Sequence, residues 1–472
     1  MKRTAGFLVA LSLLSAGLAI PAHADDQSQD SIPVHIFESV SNSLIPTEPN
    51  YTNGNMWGLN TSFGINEQGA LDLTSGSRDV VVGFIDTGIT NHTDLNANVV
   101  AGYDFISGDI YNSRGAVVGH DYTATGTGDG NGRDSDPSDP GDYTSTTNSS
   151  WHGTHVAGII GALANGEGAL GVAPIISLMP LRALGSSNGS LLDIKDAITW
   201  ASGGSVSGIT AVPAKRADVI SLSLGGTGSA CPTSLQSTID AAVGRGSIVV
   251  VAAGNDGVDL ANTFPANCQN VIVVMASDVN GAKTSWSNFV VTGAANSIYV
   301  TTPGSSIYST YNAGTRTPGA QTFALMSGTS MATPFASGIV ALIRSVKPTA
   351  TFSEIKSLLT DPNNVTPGVG GVKVLNAGKI ISAAIGAPAP VATPEAIPEP
   401  APAVTETPAP VVAPAPIVVA PPFTLNTKKK FSGKNFAAQA GVTVPKKSTV
   451  SLKVVGSKSS CKIKSGKLAT LK

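Results

Sequence analysis

The chain has 472 residues, a formal net charge of −2 and only 13% charged side chains. That length exceeds one ordinary domain, and no stretch beyond the extreme N-terminus is long and apolar enough to span a bilayer as a helix. The near-balance of charge conceals an asymmetry: from Thr424 onward there are 12 Lys and no Asp or Glu, so the preceding residues carry 17 Lys plus Arg against 31 Asp plus Glu, a net of −14. An acidic body of this kind is not expected to bind nucleic acid.

Lys2 and Arg3 precede an apolar run from Phe7 to Ile20, followed by the small-residue pattern Ala22-His23-Ala24. Residues 1–24 are therefore expected to be a secretory signal peptide, and the mature chain to be secreted or associated with the cell surface. Residues 25–49 form a polar lead-in, too short to bury a core of its own. Val80 to Ile85 is a continuous apolar run, the pattern of a buried strand, and it ends in a carboxylate, Asp86. His92, in His92-Thr93-Asp94-Leu95, is read as structural. From Gly126 to Tyr143 the chain is rich in Gly, Asp and Pro. Asp129, Asn131, Asp134 and Asp136 offer the oxygen ligands that calcium takes, although Arg133 and Pro140 exclude an EF-hand. The alternative is plain turn chemistry, with Asp139 and Asp142 solvated.

Trp151-His152-Gly153-Thr154-His155 places His152 where a helix begins, and that helix is expected to run through Leu163 to the stop signal Asn165-Gly166. His155 is expected to pack against neighbouring elements. Leu191 to Trp200 has the pattern of an amphipathic helix, and Val219 to Gly226 that of a buried strand with an open glycine end. Ile248 to Ala253 is a further buried strand, delivering a side-chain amide at Asn255. Repeated strand-then-helix segments predict an α/β fold, a mostly parallel sheet with helices on both faces. Cys231 and Cys268 each follow one of the last two strands. An oxidising compartment makes a disulfide the expectation and two buried thiols the alternative. Cys461 is left over.

Leu325-Met326-Ser327-Gly328-Thr329-Ser330 feeds into an apolar helix carrying Met331, Ala332, Phe335, Ala336, Ile339, Val340, Leu342 and Ile343. A serine hydroxyl at a helix N-terminus has backbone N–H groups beside it to stabilise developing negative charge. Gly-Thr-Ser by itself is more readily an ordinary turn or N-cap. Asp86, His152 and Asn255 change that reading, because carboxylate, imidazole, amide and hydroxyl are then all present.

These four pieces, in the order Asp, His, Asn, Ser, resemble the subtilisin-like serine proteases over roughly residues 45–385, with a catalytic domain over 50–385. The resemblance implies that Ser330 is the nucleophile, His152 the general base and Asp86 its orienting carboxylate. Asn255 and the Ser330 backbone N–H would form an oxyanion hole. It also implies that Ser223, Leu224, Gly225 and Gly226, together with Ala252, Ala253 and Gly254, wall the pocket for the substrate side chain, with 223–225 pairing to substrate backbone as an added strand. Calcium is a common companion of the family, without positions fixed by the resemblance. Many relatives carry histidine where this chain has Phe335, a position outside the triad.

Residues 386–422 turn to Pro, Ala and Val, expected as a semi-rigid polyproline-like linker. Residues 423–472 form a basic tail whose weak alternation suggests a small β module, with lysines suited to anionic cell-wall polymers or simply solvated. Expected partners are protein or peptide substrates, and the chain is expected to be a monomer. The function implied is a secreted serine endopeptidase. A protease-fold protein that is inactive or latent and binds surfaces is the alternative.

Overall fold

The structure, a computed structural model, describes residues 44–386 apart from 108, 112–116, 121–128, 131, 145, 186–188 and 292, and further on the strands 449–453, 460–464 and 467–470. The signal peptide expected at 1–24, the lead-in before 44 and the linker over 387–422 lie outside the described residues. The chain divides into two compact units, Met1–Ala392 and Thr393–Lys472.

The first unit is built on nine strands. In chain order they are β1 Val81–Asp86, β2 Tyr103–Asp104, β3 Ser177–Arg182, β4 Val219–Leu222, β5 Ile248–Ala252, β6 Ile272–Ser277, β7 Ile298–Pro303, β10 Val365–Pro367 and β11 Lys373–Leu375; β8 Ile307–Asn312 and β9 Gln321–Met326 form a separate antiparallel hairpin. The sheet order is β10-β11-β7-β6-β5-β4-β1-β3-β2, and every neighbouring pair is parallel except β10 with β11. Strands buried on both faces must be mostly apolar at successive positions, which is why β5 is an unbroken hydrophobic run, β1 is one up to Ile85, and β4 is interrupted only by the small Ser221.

Alternation along each strand divides the core into two layers. Val82, Phe84, Val219, Val250 and Val274 face the helices α1 His152–Gly161, α4 Thr329–Val346, α5 Phe352–Thr360 and α6 Ala377–Ala384. Val81, Ile85, Ile220, Leu222, Val249 and Val251 face α2 Leu191–Ala201 and α3 Thr233–Gly244. Helices on both faces of a mostly parallel sheet are the architecture expected. Helix α1 ends at Gly161, earlier than the expected Asn165-Gly166. The segment beyond it is held by tertiary bonds instead: Leu163 N–H and Ala169 N–H both donate to Asp94, one to its carbonyl and one to its carboxylate. Among the described residues no helix is long and apolar enough to cross a membrane.

The second unit contains an antiparallel three-stranded sheet, Thr449–Lys453, Ser460–Lys464 and Lys467–Thr470, with Thr449 opposite Lys464 and Cys461 opposite Thr470.

Candidate active site

Strand register brings three chain exits together. Ile85 pairs with Leu222 and Leu222 with Val251, so Asp86, Ser223 and Ala252 leave adjacent parallel strands side by side at their carboxyl ends. Such ends of an open parallel sheet form a crevice, and that is where the candidate residues lie.

Asp86 is fully buried at the end of β1. One of its oxygens accepts the Thr87 backbone N–H at 2.8 Å, and both lie against His152 Nδ1, at 2.8 and 2.9 Å. With Nδ1 donating to the carboxylate, Nε2 is the nitrogen left to take a proton. Burial of the ring works against its charged form, but the charge and hydrogen bond of Asp86, with the charges of Asp142 and Asp139, outweigh it and raise the His152 pKa above the ordinary imidazole value. His155, on the same helix, behaves oppositely. Burial pushes its pKa down to about 3, so it stays neutral while Nε2 meets the carbonyls of Ile307 and Ala324 at 3.1 Å. His92 is also buried, bonded to the Thr322 carbonyl and packed edge-on against Phe323. Both are packing histidines.

Ser330 is the second residue of α4, whose N-cap is Gly328. Its Oγ donates to the Ser223 carbonyl at 3.1 Å, and Ser223 Oγ donates to the Ser330 carbonyl at 2.8 Å. Asn255 Oδ1 accepts both the backbone N–H and the hydroxyl of Thr329, at 2.9 and 3.0 Å. Among the described residues no group accepts from Asn255 Nδ2. It points toward Gly328, where a Cβ would stand 3.6 Å from it and 3.8 Å from Ser330 Cβ.

One expected pocket wall, 223–226, continues into a strand pair that sequence patterns do not signal. Gly226–Thr227 runs antiparallel to Thr263–Phe264. A Cβ at Gly226 would lie 2.5 Å from the Phe264 ring, and one at Gly254, where φ is +102°, would lie 2.4 Å from Asn288 Nδ2. Glycine is required at Gly254 by its backbone and by the buried Asn288 amide, whereas at Gly226 a side chain would have to displace the tip of the Phe264 ring. Asn288 Nδ2 donates to the Ala253 carbonyl and to Thr263 Oγ1, both at 3.0 Å. Cys231 and Cys268 are joined by a disulfide, with Cα atoms 5.0 Å apart, just outside the two walls.

A model of the subtilase family matches residues 77–374, which is more than half of the chain and contains all four candidate catalytic positions. The chain belongs to the subtilase family. Among its subtilase relatives, an extracellular protease of Xanthomonas campestris pv. campestris is 47% identical over 340 residues, 69% of this chain and 55% of that protein. An extracellular basic protease of Dichelobacter nodosus is 35% identical over 66% of this chain and 51% of that protein. The chain thus spans about half the length of these curated relatives. A solved structure described as proteases from Pseudoalteromonas arctica is similar with a TM-score of 0.64 and 39% identity, over 72% of this chain and 99% of that one.

The loop considered for calcium is engaged differently from a ready ligand set. Asp129 Oδ2 lies 3.5 Å from Arg182 Nη1, Asp134 Oδ1 accepts the Asp136 N–H and Asp136 Oδ1 accepts the Ser138 N–H. Among the described residues, buried Asp129 Oδ1 has no hydrogen-bond partner. Asn131 lies outside the described residues. Among the described residues no three or more His, Cys, Asp or Glu gather so as to hold a metal ion. Asp139 and Asp142, read as solvated in the turn alternative, are buried at 2% and 8% exposure.

Residues that sequence reasoning missed are Thr87, Ser150, Thr263, Asn288 and Thr329. Thr329 carried a signal in the Gly-Thr-Ser tripeptide, since a hydroxyl beside the serine can hold the amide. Thr87, Ser150 and Asn288 sit in loops and Thr263 in a two-residue strand, and the partners of all four are set only by the fold.

Proposed function

We propose that this chain is a secreted serine endopeptidase that cleaves peptide bonds through an acyl-enzyme on Ser330. The observation that carries the reading is the pairing of His152 Nδ1 with Asp86 while Asn255, held by Thr329, presents its Nδ2 beside Ser330. His152 Nε2 takes the Ser330 proton as Oγ attacks the scissile carbonyl, and Asp86 steadies the resulting imidazolium. Charge developing on the substrate oxygen is met by Asn255 Nδ2–H and the Ser330 N–H at the start of α4. The imidazolium then protonates the leaving amine, and water, deprotonated by the same Nε2, hydrolyses the ester. In the resting structure Ser330 Oγ is turned to the Ser223 carbonyl, so attack begins with rotation of that hydroxyl.

The experiment is labelling of the purified protein with a fluorophosphonate, alongside casein hydrolysis. Native protein should label at Ser330 and hydrolyse casein, and Ser330→Ala should do neither while remaining folded. Native protein that does neither would instead be a surface-binding protein on a protease fold.

Export through residues 1–24 is proposed with it, supported by the names of the extracellular relatives and by the Cys231–Cys268 disulfide, which suits an oxidising compartment. The domain limits 50–385, 386–422 and 423–472 stand as part of the same proposal. Calcium at the 129–136 loop is proposed only as an added stabiliser. The unpartnered Asp129 oxygen suits a hard cation, while Arg182 and backbone N–H groups already occupy its neighbours, so the described carboxylates do not complete a shell and no step of the reaction is routed through a metal. Chelation should lower the melting temperature of Ser330→Ala. An unchanged value removes calcium.

A further inference from the structure

We propose that the turn Asp139–Asp142 is a positioning element for the catalytic base, with Asp139 acting through Thr87 and Asp142 through Ser150 to fix the backbone on both sides of His152. This rests on the serine-endopeptidase reading.

Each carboxylate reaches the base by a two-bond relay. Asp139 Oδ2 accepts the Thr87 hydroxyl at 2.7 Å, and that Oγ1 accepts the Gly153 N–H at 3.1 Å. Thr87 directly follows Asp86, and Gly153 directly follows His152. Asp142 accepts the Ser150 N–H at 2.5 Å and the Ser150 hydroxyl at 2.7 Å, and Ser150 Oγ in turn accepts the His152 N–H at 3.3 Å. Between Ser150 and His152 stands Trp151 in the left-handed region, φ +49°, a conformation that a bulky residue holds only when its surroundings impose it. Those surroundings are complete burial of the indole and its N–H bond to the Gly314 carbonyl at 2.7 Å. The turn itself is docked on the exit of β1. Ile89 N–H donates to the Pro137 carbonyl at 3.1 Å and Asp139 N–H to the Ile89 carbonyl at 2.9 Å.

Among the described residues neither carboxylate forms an ion pair with Lys or Arg. Burying a carboxylate on neutral donors alone costs stability, so stability does not account for placing two of them here. What the placement does supply is orientation of the His152 backbone and a negative field at the ring. Among the described residues, the charged or titratable groups acting on that ring are Asp86 from β1, Asp139 and Asp142 from the turn, and His155 from the next turn of α1; Arg182 acts on Asp139, and Tyr311 lies in the field of both turn carboxylates.

The test compares native protein with Ser150→Ala, Thr87→Val, Thr87→Ser and Asp142→Asn on a small peptide substrate, with fluorophosphonate labelling and melting curves for each. Ser150→Ala and Thr87→Val should lower kcat by about 10- to 100-fold, the scale on which misplacement of a reacting group acts, with KM nearly unchanged. Thr87→Ser, which keeps the hydroxyl, should restore most of what Thr87→Val loses. Asp142→Asn removes a charge that favours the imidazolium and should also move the acidic limb of kcat/KM to lower pH, which a merely structural role would not do. If Asp142→Asn does not fold, the Thr87 pair decides. Native-like kcat and an unmoved limb in folded variants of an active native enzyme overturn this inference alone. A native protein that neither labels nor hydrolyses overturns the endopeptidase reading and this inference with it.

Discussion

Ser223 and Ser330 exchange two hydrogen bonds, hydroxyl to carbonyl in each direction. The cause lies four residues along α4, where Pro334 has no N–H to give the Ser330 carbonyl its ordinary helical partner. Ser223 Oγ supplies the missing donor and so ties the start of α4 at Ser330 to the segment leaving β4. Ser223→Ala should leave that carbonyl unpartnered and destabilise the fold by about 1–3 kcal/mol, seen as a lower urea midpoint. Pro334→Ala restores an N–H, so the double variant should lose less than Ser223→Ala alone. An equal loss in both would show that the exchange is incidental.

Asn255→Ala should lower kcat by about 10²–10³ and leave KM almost unchanged, since the amide meets charge that exists only in the transition state. Thr329→Ala, which removes one of the two bonds orienting that amide, should show a smaller loss of the same kind. Steady-state kinetics on one peptide substrate checks both. A rise in KM with kcat intact would place Asn255 in substrate binding.

The acidic limb of kcat/KM should lie above the ordinary imidazole value, because Asp86, Asp142 and Asp139 together raise the His152 pKa despite its burial. Only neutral imidazole accepts the serine proton, so activity rises with pH through that limb. A pH–rate profile on a substrate without titrating groups checks this, and a flat profile from about pH 5 to 9 would count against His152 as base.

The fold and the four central residues were legible in the sequence because each is delivered by a pattern that local physics makes visible. Val81 to Ile85 and Ile248–Ala252 are buried on both faces and so carry no polar side chain, and Ser330 opens a helix whose next two turns are buried. The turn at 139–142 shows the opposite case. Its Asp, Gly and Pro favour turns anywhere, and nothing local distinguishes a solvated carboxylate from one buried against Thr87 or Ser150. The same holds for Thr263 and Asn288, which reach the pocket from distant chain positions. Helix α1 was read too long because its apolar residues continue past Gly161 into a loop that Asp94 captures.

Cys231→Ser with Cys268→Ser should destabilise the protein by about 3–4 kcal/mol in the chain-entropy model, given a separation of 37 residues. Activity at low temperature should persist, since neither sulfur touches the catalytic residues. Urea unfolding in the Ser330→Ala background avoids autolysis and gives the comparison directly. A loss of less than about 1 kcal/mol would show that residual contacts in the unfolded chain already keep the two segments close, so that the cross-link removes little further freedom.

Asp139 should make the fold lose stability as pH rises toward neutrality. Burial, reinforced by the charge of Asp142, pushes its pKa up to about 7, against the opposing bonds from Thr87 and Gly141. A folded-state pKa above the unfolded one means that the folded protein holds its proton more tightly. The favourable contribution is therefore complete below about pH 4, the unfolded value, and disappears as pH passes through about 7. A shift of this size corresponds to stability on the order of 4 kcal/mol across that window. Glu67 and His152 also have raised values and act in the same direction, so the total slope does not isolate Asp139. The difference between Ser330→Ala and Ser330→Ala with Asp139→Asn does, because an amide cannot titrate. That difference, measured by urea unfolding from pH 4 to 8, should grow in favour of the asparagine variant as pH rises and level off above about pH 8. A difference constant across the range would mean that Asp139 titrates alike in both states and that its burial is offset in full by Thr87 and Gly141.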